Sequence, residues 1–122
     1  MIRGIGVDIC PVSRMERILG RHGGRFEARV FTSGERSYCG ARAVPSQHYA
    51  ARFAAKEAAL KALGAPPGIG WQDLEVVKEG GAPRLCLHGR AQDTAAPMGI
   101  RRVHLSLSHA GDTAIAVVIV ED

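Results

Sequence analysis

Two carboxylates stand at positions where a fold gains little from a charge. The run IRGIGVDI over residues 2 to 9 sets Ile5, Val7 and Ile9 in alternation with Gly4, Gly6 and Asp8. That pattern predicts a strand with one apolar face and one face nearly bare, so a bulky ligand could approach Asp8 and the backbone together. Further along, Tyr49, Phe53, Leu60 and Leu63 mark the inward stripe of a long helix, and Glu57 falls within that stripe. A carboxylate there is costly unless it is paired or bound to a metal. Two oxygen donors, one from a strand and one from a helix, suit Mg²⁺, which keeps several waters and often shares carboxylates with substrate phosphates. The same residues also fit a plainer account, in which Glu57 forms an i,i+4 ion pair with Lys61 and Asp8 is a strand-end turn residue. Spacing leaves both open.

Lys61 lies close enough to the face of Glu57 to reach a phosphate held by the same ion. The plainer reading of Lys61, as of Lys56, is a solvated lysine on a surface helix, and sequence alone favours it. His109 has the parity of Val103, Leu105 and Leu107, which aims it at the core. Ser106 and Ser108 lack the G-x-S-x-G elbow of a hydrolase nucleophile. GIGVDI lacks the third glycine of a dinucleotide fingerprint, and GAPPGIG at 64 to 70 lacks the GK[ST] of a P-loop.

The elements that must position these residues can be read in outline. Ser13 and Glu16 have capping-box spacing and open a short helix that fails at Gly23-Gly24, with Met15, Ile18 and Leu19 inward and Arg14, Arg17 and Arg21 outward. Thr32 and Glu35 repeat the signature before a second short helix. Ser46 is positioned to cap the long alanine-rich helix, which ends at Gly64 in an expected left-handed turn. LEVVKE and PRLCLHG flank Gly80-Gly81 and predict a hairpin, with Trp71 and Asp73 anchoring its start. A short helix over roughly 89 to 98 precedes two strands, VHLSLSH and TAIAVVIV, the last read as buried on both faces. The fold class is α+β, an antiparallel sheet packed with one long and several short helices, in a single domain over 1-122.

Composition narrows the chemistry. Sixteen basic residues against 12 acidic give a net charge of +4, and only three of the 16 are lysines. Arginine's planar fork favours phosphate and carboxylate partners. Aromatic residues make up 5% of the chain and are not interleaved with basic ones, which argues against nucleic-acid binding. Three cysteines without C-x-x-C spacing argue against a disulfide framework or zinc knuckle and fit a reducing cytoplasm. The longest apolar run, Ala114 to Val120, is too short to span a bilayer, and no signal-peptide pattern opens the chain, so no membrane role is expected.

Taken together, GIGVDI, FTSGE at 31 to 35, ARFAAKEAALKALG at 51 to 64, Trp71 with Asp73, and SLSH at 106 to 109 resemble the holo-acyl-carrier-protein synthases, the small bacterial class of phosphopantetheinyl transferases. The resemblance implies transfer of the 4′-phosphopantetheine arm of coenzyme A to a serine of apo-acyl carrier protein, with release of adenosine 3′,5′-bisphosphate. It implies Asp8 and Glu57 as Mg²⁺ ligands, Lys61 at the phosphates, and Arg52, His109, Pro83 and Arg84 around the bound cofactor. Arg14, Arg21 and Arg25 would meet the acidic carrier on the first helix, and Arg42 would stand in for a basic residue that GARAVPSQ does not supply at its expected place. The general base is left among Glu57, a metal-bound water and Glu35. It further implies a homotrimer with each site shared between subunits. The competing class is a non-enzymatic basic module that binds nucleic acid or an acidic protein through the Arg14 stripe, which accounts for the charge but not for Asp8 and Glu57.

Overall fold

The computed structural model describes residues 1–21 and 23–122. Its elements are β1 (Ile2–Pro11), α1 (Val12–Arg21), α2 (Arg25–Val30), α3 (Ser33–Gly40), α4 (Pro45–Ala62), a 3-10 turn (Trp71–Asp73), β2 (Leu74–Val77), β3 (Arg84–Leu87), α5 (Gly89–Ala95), β4 (Arg102–Ala110) and β5 (Thr113–Glu121). A three-stranded antiparallel sheet has the order β1-β5-β4, and β2 and β3 form the expected hairpin as a second sheet. The architecture is α+β, as the pattern of elements implies.

The bare face of β1 has a different occupant from the one its sequence suggests. A Cβ placed on Gly4 would fall 1.9 Å from the Ala62 carbonyl oxygen, and one on Gly6 would fall 1.9 Å from that of Ala58. Helix α4 therefore presses its backbone onto the strand, and the glycines are there to admit it. The alanines of α4 complete the fit, since Ala50, Ala54, Ala55 and Ala58 are wholly buried. No single apolar stripe runs down this helix. Phe53 and Leu60 are only partly buried, whereas alanines on several faces are covered by β1, β5 and α3. Conversely, the apolar face of β1 is open: Ile5 is 64%, Val7 50% and Ile9 57% exposed. Strand β5 alternates buried and half-buried residues, so it is covered on one face rather than on two.

Several local signals behave as read and others do not. Thr32 and Glu35 form a reciprocal capping box at α3. Helix α4 ends in a Schellman motif, with Ala65 N donating to Leu60 O (2.7 Å), Gly64 N to Lys61 O (3.0 Å), and Gly64 at φ +85°. The N-terminal signal Ser13–Glu16 is overridden, because Ser13 bonds through its amide and hydroxyl to Asp112 in the β4–β5 turn (2.9 and 2.5 Å). Ser46 does not cap α4, which begins one residue earlier with Pro45 at its first position. Helix α5 stops at Ala95, short of residue 98, and α2 is an element the sequence pattern did not announce. No helix among the described residues is long and apolar enough to cross a membrane.

Candidate functional site

Asp8 continues the face of Gly4 and Gly6, and at that point α4 brings Glu57 and Lys61 beside it. Lys61 Nζ lies 3.3 Å from Asp8 Oδ1 and donates to Val7 O at 3.1 Å. Glu57 is half-buried and shares a hydrogen bond with Asp8; burial first, then that bond and the Asp8 charge, push its carboxyl up to about 7. The ordinary Glu57–Lys61 helix pair does not form, because Lys61 turns to Asp8. Two carboxyl groups held against each other with an ammonium alongside constitute a cation site in search of a charge. Among the described residues no group of three or more His, Cys, Asp or Glu could hold a metal, so an ion held here would have these two carboxylates as its protein donors. That number fits Mg²⁺, which completes its shell with water and phosphate oxygens.

A second cluster forms where the N-terminal half of α4 meets β4. Arg52, His109 and Pro83 come together around a cavity of about 310 Å³, joined by Tyr38 from α3, His48 from α4 and Lys78 from the end of β2. His109, next to last in β4, is exposed here on the cavity rather than turned into the core. Arg52 is 3% exposed, and its Nε has no hydrogen-bond partner. Burial, then Arg52, Arg42, His109 and Lys78, hold His48 below the ordinary histidine range. The cavity is thus cationic, and an anion with several oxygens fits it.

The two clusters share one face of the sheet. Asp8 opposes Ala116 on β5, which opposes Leu107 on β4, so β5 lies between Asp8 and the strand of His109. Glu57 and Arg52, five residues apart, project about 140° from each other around α4.

Some expected members fall elsewhere. Arg84 lies outside the Arg52 cavity; it lines a shallow hollow with Arg101 and His104 and stands 3.9 Å from Glu79. Arg14 and Arg21 are exposed on α1, but Arg25 begins α2 beyond the Gly23-Gly24 turn. Arg42 does join the second cluster, with its guanidinium carbon 4.4 Å from the Tyr38 ring centre. Glu35 is withdrawn from any catalytic role: it is 1% exposed, accepts from Thr32 N and Val76 N (both 2.9 Å), and pairs with Lys56 at 2.8 Å. Lys56, expected in solvent, is wholly buried and spends its remaining donors on Trp71 O (3.0 Å) and Leu74 O. Tyr38, His48 and Lys78 escaped the sequence reading, because only the tertiary fold gathers α3, α4 and the hairpin at one place.

The chain matches the family model described as the 4′-phosphopantetheinyl transferase superfamily over residues 4–118. It is 53% identical over 124 residues to a holo-[acyl-carrier-protein] synthase of Anaeromyxobacter dehalogenans (99% of this chain, 97% of the relative). It is 50% identical over 121 residues to one of Myxococcus xanthus (98% and 95%). Among solved structures, the holo-[acyl-carrier-protein] synthase of Neisseria meningitidis superposes with a TM-score of 0.89 at 33% identity over 100% of both chains. That of Helicobacter pylori in complex with coenzyme A superposes with a TM-score of 0.83 at 31% identity (96% of this chain, 99% of that one).

Proposed function

The chain belongs to the 4′-phosphopantetheinyl transferase superfamily, and from that premise we propose how its two clusters divide the work. The activity is transfer of the phosphopantetheine arm of coenzyme A to apo-acyl carrier protein, as the full-length similarity to holo-acyl-carrier-protein synthases and the coenzyme A complexes of relatives support. The observation that carries the assignment of roles is that the chain holds both a two-carboxylate site and a cationic cavity, turned to different sides of α4.

The cationic cavity takes the phosphorylated nucleotide end of coenzyme A. Arg52 supplies guanidinium donors, Lys78 and Arg42 add charge, and His109 adds a ring nitrogen. Pro83 closes the wall. Asp8 and Glu57 would hold Mg²⁺, which would supply positive charge to offset that of the pyrophosphate. The proximity of the two carboxyls supports this, since their mutual repulsion is relieved by a shared cation. Lys61 has a 55% exposed side chain whose ammonium contacts Asp8 and Val7 O. By exchanging these contacts it reaches the phosphate that leaves as adenosine 3′,5′-bisphosphate. Attack by the carrier serine on a positioned pyrophosphate asks the protein mainly for orientation and charge neutralisation.

The exposed arginines of α1, Arg14 and Arg21, form the surface for the acidic carrier, and Arg14 is near enough to Glu57 to act on its charge. Docking on α1 therefore delivers the serine beside the carboxylate pair. We further assign a cytoplasmic single-domain protomer and a homotrimer in which neighbouring subunits complete each site; the open apolar face of β1 supports the assembly. The decisive experiment is a mass spectrum of an apo carrier after incubation with coenzyme A, Mg²⁺ and this protein. A gain in mass equal to one phosphopantetheine arm, abolished by chelator, is expected; an unmodified carrier refutes the assignment.

A further inference from the structure

Tyr38 sits in α3 with two guanidinium groups over one ring. The Arg52 guanidinium carbon is 4.2 Å from the ring centre and that of Arg42 is 4.4 Å away, while His48 meets the ring edge-on at 5.7 Å and 75°. A buried arginine is ordinarily held by a carboxylate, which neutralises it and occupies its donors. An aromatic face holds the same group through its quadrupole and leaves the in-plane N–H donors unspent. Both signatures of the second arrangement are present: Arg52 is 3% exposed, and its Nε has no partner. The surroundings reinforce the need for such a support, because Arg42, Arg52, Lys78 and His109 all act on His48 as positive neighbours. Like charges gathered so closely would splay into solvent without something to hold them in place.

We infer that Tyr38 is a positioning residue for phosphate recognition, whose ring face holds the Arg52 guanidinium at the cavity wall, with that of Arg42 beside it, while leaving the Arg52 donors for the phosphates of coenzyme A. The inference rests on the assignment of this cavity to coenzyme A. The ring face is the active feature, and the hydroxyl is dispensable. Tyr38 thereby tunes affinity for the nucleotide substrate and leaves the chemical step and the carrier surface untouched.

The test compares Tyr38→Leu with Tyr38→Phe by calorimetric titration with coenzyme A and by steady-state kinetics, with melting temperatures recorded for each. Tyr38→Leu should raise both Kd and KM for coenzyme A on the order of tenfold, the scale of lost cation–π contacts. Its kcat at saturating coenzyme A and its KM for the carrier should stay within about twofold of wild type, and Tyr38→Phe should restore coenzyme A affinity to within about twofold. In an Arg52→Ala background, Tyr38→Leu should cost no more than about threefold, because the group it holds is gone. If Tyr38→Leu melts below the assay temperature, Tyr38→Met carries the same comparison. A Phe variant as impaired as the Leu variant, a fall in kcat with KM unchanged, or a full tenfold loss persisting in Arg52→Ala would overturn the inference. Failure of the wild type to bind coenzyme A at all would overturn the cavity assignment and the role of Tyr38 together, whereas wild-type affinity in Tyr38→Leu removes only the latter.

Discussion

A carboxyl group pressed against another carboxyl group is an arrangement that folding alone does not reward. Glu57→Ala removes one of the pair and leaves Asp8 with Lys61 at 3.3 Å, so transfer should be abolished while the melting temperature stays equal or rises. Retained Mg²⁺-dependent turnover, followed by carrier mass, would contradict the role of Glu57. Glu75 shows the opposite logic. Partial burial disfavours its charge, yet hydrogen bonds from Thr32 (2.6 Å) and His88 (2.9 Å) win and hold its pKa below the ordinary value. A carboxyl depressed in the folded state contributes stability above its unfolded pKa, near 4.3, and loses it as pH falls through the folded value. Thermal melts from pH 7 to pH 3 should therefore show wild type losing more stability than Glu75→Gln. Asp8, Glu57 and Lys61 come together, as do Arg52 and His109, and each was singled out from a short signature of fixed order. Glu35 keeps the capping role its spacing implied, whereas the burial of Lys56 was missed because a helix assumed to have one apolar stripe leaves no place for a fully buried lysine. In fact α4 is covered on several faces, and the pair is sealed by α3 and β2.

At the scale of elements, the contact between β1 and α4 governs the site. Ala58 O would lie 1.9 Å from a Cβ on Gly6, and a backbone carbonyl cannot step aside as a side-chain tip can. Gly6→Ala should therefore cost at least about 3 kcal/mol in denaturant unfolding and cost activity as well, since the helix that lifts away carries Glu57. Wild-type stability in that variant would mean the strand and helix are less tightly coupled than their geometry requires. Helix α1 makes a separate prediction. Reversing Arg14 and Arg21 to glutamate should raise KM for the carrier, more so at low salt, and leave coenzyme A affinity nearly unchanged, because exposed charges act chiefly on encounter. An equal loss for both substrates would make α1 a structural element only. The start of α1 also shows why capping signals mislead when read alone. Ser13 and Glu16 have the right spacing, but Asp112 arrives from the β4–β5 turn and takes the serine. Long-range partners of this kind leave no trace in a local window.

For the whole molecule, the face of the three-stranded sheet away from α4 is the unresolved surface. Ile5, Val7 and Ile9 stand opposite Ile119, Val117 and Ile115, and the β5 residues are themselves only half-buried. A monomer gains nothing from such a patch, and the proposed trimer would cover it. Co-refolding equal amounts of Asp8→Ala and His109→Ala should restore about a quarter of wild-type activity if each site draws its carboxylates from one chain and its histidine from another. No recovery would place both residues in one chain. The pairing of β1 with β5 also bears on how the protein comes into being. Ile5 finds its partner only at Ile119, and the Met1 amino group meets Asp122 at 2.6 Å. Until the last strand has left the ribosome, β1 has no neighbour in the sheet, Asp8 has no floor at Ala116, and the segment after β1 lacks its anchor at Asp112. Non-local pairing of this order delays folding and prolongs the exposure of an apolar strand. Synthesis interrupted before Thr113 therefore leaves no partial enzyme, only a chain with an unpaired sticky edge for the cell to clear.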